Sequence, residues 1–280
     1  MIEMTIPALF ALLLWWFSTG IVLYVVRLPD ATHRVSLAAS AVLALAALAA
    51  IAVTSGETRV AAAFIAFTSA ILVWGFIELS FLTGHVAGTH RDECPEGLTG
   101  WARTRLATSA IIYHELALAA GGILIVIVAW DGTNQVAALT YGLLWIMRLS
   151  AKLNLFLGVP YLQDEFLPRG VTHLRSYFRR APMNALLPFS IVLPLMAGIW
   201  LFQNALMAPT AFETTAAMLL AALLALAILE HVFMLVPLPV MEAWNWGHRT
   251  GAKPADGQRI DPISARPSPD HRISITRRGL

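Results

Sequence analysis

Charge is what this sequence has least of. Only 13% of its 280 residues are Asp, Glu, Lys or Arg, against 58% hydrophobic, and mean hydropathy is +0.69. Soluble domains carry roughly 25% charged and ~45–50% apolar residues, so this chain has too little polar surface to cover itself in water. That excludes disordered and collagen-like classes as well. A single cysteine, Cys94, excludes an internal disulfide and leaves the redox compartment unmarked. The two lysines are Lys152 and Lys253; a seven-helix retinal protein needs a Schiff-base lysine in its last helix, and neither stands there. P-loop, dinucleotide fingerprint, Cys/His zinc pattern and nucleophile elbow are all missing. Nucleic acid is not an expected partner.

What the chain has in quantity is long, nearly uncharged runs. Seven of them, at about 4–26, 35–53, 60–82, 106–130, 136–157, 184–207 and 214–236, each reach the roughly 20 helical residues that cross ~30 Å of hydrocarbon. Backbone polar groups in lipid must be satisfied within the segment, and these runs are too long and continuous for barrel strands. The expected fold is therefore all-α: a polytopic seven-transmembrane-helix bundle over residues 1–241, with the lipid bilayer as its solvent. Arginine and lysine are distributed unequally about it. One side carries Arg59 alone, whereas the other holds sixteen basic residues, from Arg27 to Arg278. The positive-inside rule then places the N-terminus outside and the C-terminus in the cytoplasm. Met1-Ile2-Glu3 lacks a basic n-region and the first run is too long for a signal-peptide core, so it reads as a retained span.

Outside the spans, residues 242–280 are basic and Pro/Gly-rich without apolar periodicity, which reads as a disordered cytoplasmic tail. Between 158 and 182, Val171, Leu174, Tyr177 and Phe178 fall near one helical face beside Arg175 and Arg179. That spacing suits either a short helix on the lipid surface or an ordered loop. Gly121 and Gly122 permit close helix approach in the fourth span. His85, seven residues after Glu78, lies where the third span meets water.

Seven ionisable side chains fall within the spans: Glu78, His114, Glu115, Arg148, Lys152, Glu230 and His231. A charge at mid-span costs roughly 2.5–3.5 kcal/mol on insertion scales, so such groups face the bundle interior and find partners. At ~1.5 Å per residue, His114, Arg148, Glu230 and His231 stand roughly 13 Å from the cytoplasmic boundary, with Glu78 and Lys152 nearer to it. Four helices thus place polar groups in one half of the membrane. Three uses stay open. Glu78, His114, Glu115, Glu230 and His231 are types that bind a transition metal such as iron, although the Glu-x-x-His spacing of di-iron bundles is missing. His114 or His231 is an axial ligand to a tetrapyrrole metal, with Arg148, Lys152 and Asn154 as a polar strip for an anionic group. Or the groups lock helices together, pairing Glu230 or Glu115 with Arg148 and Glu78 with Lys152. No ionisable group lies in the outer half, which counts against proton-coupled transport.

These same residues carry a resemblance. Trp15–Gly20, Glu78–Gly84, Tyr113-His114-Glu115-Leu116-Ala117, Met147–Pro160 and Leu229-Glu230-His231 resemble the PuhE-type photosynthetic complex assembly proteins of bacteriochlorophyll-using bacteria, over roughly residues 1–247. One departure is Ile77, which stands where that family places a histidine before the glutamate of the third span. The resemblance implies a multi-pass protein of the bacterial inner (intracytoplasmic) membrane. It would support assembly of the reaction-centre/antenna complex or its bacteriochlorophyll supply, with reaction-centre or antenna subunits or pigment-synthesis proteins as partners. Bacteriochlorophyll or a precursor is the cofactor implied. The alternative is a membrane-embedded, di-iron-like enzyme acting on a tetrapyrrole intermediate.

Overall fold

The computed structural model describes residues 2–162 and 167–236. Within them lie seven helices long and apolar enough to cross a membrane: α1 (Ile2–Val26), α2 (Asp30–Thr54), α3 (Val60–Leu82), α4 (Gly100–Val128), α5 (Val136–Leu157), α6 (Leu186–Met207) and α7 (Ala211–Val232). A 3-10 helix, Arg169–Tyr177, sits between α5 and α6. The expected tail at 242–280 lies outside the described residues.

The helices differ sharply in burial. Half of the apolar window of α3 and of α7 is buried, against 11% for α1 and α6. α3 packs against α2, α5, α4 and α1, while α7 packs against α6, α1 and α5, so these two with α5 form the centre. The outer helices α1 and α6 turn Leu9, Phe17, Ile21, Leu193, Met196 and Trp200 outward, half-exposed or more. Side chains of this kind are what a bilayer covers. Inside, the core runs through Ile51, Phe67, Leu118, Ile125, Tyr141 and Leu219. Tyr141 fits over Gly121 because there is no Cβ in its way, and its hydroxyl donates to the Leu118 carbonyl at 2.9 Å. At the start of α7, Thr210 and Glu213 form a reciprocal capping box, and the Asn134 and Asn184 side-chain oxygens accept first-turn N–H groups of α5 and α6.

Two departures from expectation sit at the end where α3 finishes. α4 begins at Gly100, six residues before the expected span. In addition, the chain leaving α3 turns inward: Ala87 and Gly88 are buried against α4, and Gly84 against Gly170 of the 3-10 helix. Thr89 N–H donates to the Ser109 carbonyl at 2.8 Å, and the Ala87 carbonyl accepts from His114 N–H at 3.0 Å. A Cβ on Gly88 would collide with the Ser109 carbonyl, so only glycine allows this approach.

The segment after α5 is helical, but its apolar face meets protein rather than lipid. Val171, Leu174 and Tyr177 are buried against Phe81, Ala87 and Ala110. Arg103 pins this segment by donating to the Phe156 carbonyl at 3.2 Å and the Tyr177 carbonyl at 2.6 Å.

Candidate functional site

The site is organised by α5. With 3.6 residues per turn, Arg148 and Lys152 share one face, while Ser150 and Asn154 share the opposite one. Each face meets its own polar network.

On the first face, Arg148 reaches α3, with its Nε 3.3 Å and its Nη2 3.4 Å from the two carboxylate oxygens of Glu78. Lys152 reaches α4 and donates to Glu115 at 2.6 Å, where Trp145 Nε1 also donates at 3.4 Å. His114 lies behind these pairs, fully buried, its ring stacked on Phe81 with centroids 4.0 Å apart. Its Nε2 is 3.7 Å from Glu78, too far for a hydrogen bond, and among the described residues neither ring nitrogen has a hydrogen-bond partner. Glu230 of α7 is within electrostatic reach of Arg148.

The ion pairs are therefore exchanged relative to expectation. Glu78 belongs to Arg148 rather than Lys152, and Lys152 belongs to Glu115. The reason is the buried segment after α3. The chain leaving α3 folds back against α4, and Glu78 is buried within reach of both His114 and Arg148.

On the second face the network carries no carboxylate. His231 Nδ1 lies 2.8 Å from the Ala227 carbonyl, which only accepts, so this nitrogen carries the proton. In the neutral ring Nε2 then accepts from the Ser150 hydroxyl at 3.0 Å. The Ser150 and Ser190 hydroxyls are 2.8 Å apart, and Asn154 Nδ2 donates to Ser190 at 2.9 Å. Asn154 thus lies away from Arg148 and Lys152, and the three do not make one strip. Ser150 and Ser190 had no signal of their own in the sequence, since a lone serine in an apolar run is ordinary.

The five residues read as possible metal ligands are divided between these networks. Glu78 and His114 face each other, Glu115 is held by Lys152, and His231 is held by Ser150 and Ala227. Among the described residues no group of three or more His, Cys, Asp or Glu is placed to hold a metal ion. The five do not stand as one ligand set.

A cavity of about 390 Å³ opens on the Arg148 face, between α1, α3, α4, α5, the 3-10 helix and the end of α7. Arg148, Lys152 and Glu230 are its charged groups. Neither His114 nor His231 lines it; Phe81 stands between His114 and the space.

Seven spanning helices around buried polar networks define a multi-pass helical membrane protein. The chain belongs to the family described as DUF3623, proteins of unknown function, whose match covers residues 1–255. It is 41% identical over 244 residues to a Rhodobacter capsulatus protein described as an uncharacterized 30.4 kDa protein in the puhA 5′ region. That alignment covers 85% of this chain and 89% of the relative. No solved structure matches the chain.

Proposed function

We propose that this protein is a PuhE-type membrane factor of the bacterial inner (intracytoplasmic) membrane, with its N-terminus outside and C-terminus cytoplasmic. It supports assembly of the photosynthetic reaction-centre/antenna complex or its bacteriochlorophyll supply. The observation that carries this reading is the place of the relative in the puhA 5′ region, which suggests a photosynthesis gene cluster. Identity of 41% over most of both chains makes a shared role the economical reading.

The internal geometry supports a holding role over a reacting one. Most of the intramembrane polar groups are committed to each other, and α5 uses them to fasten α3 and α4 on one side and α6 and α7 on the other. For a pigment or precursor, the residues that fit are those of the 390 Å³ cavity, with Arg148 and Lys152 as polar contacts. The two histidines do not offer axial ligation there, because neither is in its wall. A di-iron centre is not fitted by the residues as they stand.

Deleting the gene in its photosynthetic host and scoring both assembled complexes and pigment intermediates tests the reading. Loss of assembled complexes, with or without lowered pigment, is the expected result, and it is restored by the intact gene. Normal complexes at normal pigment level would overturn it. An accumulated biosynthetic intermediate would point instead to a missing enzymatic step.

A further inference from the structure

Next to the interior cavity lies a second, wider groove of about 1120 Å³, formed by the α1–α2 turn, the start of α2, the end of α3 and the start of the 3-10 helix. The two spaces share Leu23, Leu82 and Leu167 in their walls, so they lie side by side. Their chemistries are opposite. Arg27, Arg34 and Arg169 line the groove, with Asp30 as the acidic residue among its lining. Asp30 lies toward His33, 3.8 Å away. Among the described residues no carboxylate is within ion-pair distance of any of the three arginines. The interior cavity has no such surplus, since its Arg148 and Lys152 are already answered by Glu78 and Glu115. What distinguishes it is aromatic surface: seven of its twenty lining residues are Phe, Tyr or Trp, in a chain that is 10% aromatic.

We propose that the two spaces together bind a carboxylate-bearing amphiphile whose body is a flat conjugated ring. The ring enters among Trp15, Phe81, Phe156, Tyr177, Phe178 and Phe233, where offset and edge contacts favour a planar π-system. The carboxylate stays in the groove, where arginine forks match its two oxygens. A lipid acyl chain would have no need of so many rings. The proposal rests on the photosynthetic reading above and narrows it: the ligand is the free-acid form of a cyclic tetrapyrrole, before its carboxylate is esterified. An esterified pigment has nothing to place against the arginines. The protein would accordingly act upstream of the esterification, holding the acid for the reaction class that consumes it.

The test uses the full-length protein in detergent, titrated with protoporphyrin IX and, separately, with its dimethyl ester, followed by porphyrin absorbance and fluorescence anisotropy. The diacid is expected to bind stoichiometrically and roughly 10- to 100-fold tighter than the ester, the range of a hydrogen bond to a charged group. Equal affinity for acid and ester, or no saturable binding of either, overturns the proposal. R27Q/R34Q is expected to erase the preference for the acid and leave ester binding unchanged, because neither arginine has an ion-pair partner among the described residues. Ala107→Phe, which fills the cavity wall, is expected to abolish both. If phosphatidylglycerol at one equivalent displaces the diacid, the groove is a lipid site and the proposal fails. The two readings fail separately. A deletion strain without complexes, combined with a protein that ignores porphyrins, removes only this inference; tight acid binding in a strain with normal complexes removes the assembly reading.

Discussion

The two networks on either side of α5 solve the same problem by different means. Toward α3 and α4, the helix is held by charge, through Arg148–Glu78 and Lys152–Glu115. Toward α6 and α7 it is held by neutral hydrogen bonds among Ser150, Ser190, Asn154 and His231. The charged side borders a cavity, and the Arg148 side chain is 39% exposed there. On the neutral side His231 and Asn154 are fully buried. Desolvating an ion pair is expensive and is recovered only with good geometry. It is tolerable where a cavity leaves one member partly open, while a closed helix interface is better served by groups that carry no charge. The difference separates a face that borders an open cavity from a joint that is closed.

Removing one charge should strain that comparison most. Glu78→Gln leaves the Arg148 guanidinium without its carboxylate, and we expect a loss of about 3 kcal/mol, the low end for breaking a buried pair given the exposure of Arg148. Thermal melts in detergent read it. Glu78→Leu with Arg148→Leu should regain most of the loss, since an apolar pair of similar volume is often neutral. If the double variant is as weak as the single one, the pair is not acting through charge. Gly88→Ala is next: pushing the segment after α3 off Ser109 should cost about 1–3 kcal/mol, the range for overpacking. It should disturb the His114 imidazole resonances while leaving those of His231 in place. A shift of both histidines would mean that the two sides of α5 are not independent.

On the neutral side, Ser190→Ala should cost about 1 kcal/mol, the ordinary net value of a hydrogen bond, and thermal melts should place it clearly below Glu78→Gln. The smallest effect is expected outside the spans. Burial, with Arg91 and His90 adding positive charge nearby, lowers the pKa of His173 from its usual 6.5. The unfolded chain then takes up a proton before the folded one, so stability is full above pH 6.5 and falls as pH drops below it, levelling off beneath the folded pKa. Melts at pH 7.5 and 5.5 should differ slightly for the native chain and less for His173→Gln. An equal difference in both would assign the effect to other groups.

Much of this was legible before any coordinates. Seven spans follow from run lengths alone, and six of the seven expected starts fall within five residues of the observed helices. The exception, α4, starts early because Gly100–Arg105 is polar and runs past the uncharged stretch that marked the span. Which residues would be buried in lipid and still polar was likewise readable, because every charge there is an exception. The partners were not. Ladder position along a helix gives depth only if the chain leaves the membrane where the helix ends. After Leu82 the chain folds back onto α4 instead, and Glu78 pairs with Arg148 rather than Lys152. Asn154 was grouped with Arg148 and Lys152 by nearness in sequence, although the turn of the helix sets it on the other side.

The sequence by itself therefore determined the class of structure. Hydrocarbon accepts only internally bonded backbone, so a scarcity of charge in runs of twenty residues leaves helices as the sole outcome. Tertiary structure alone decided which carboxylate meets which cation and that α5 joins two networks of unlike chemistry. It also decided that an aromatic cavity lies beside an arginine-lined groove. Those facts depend on how helices rotate about their axes and how loops return, which local composition does not encode.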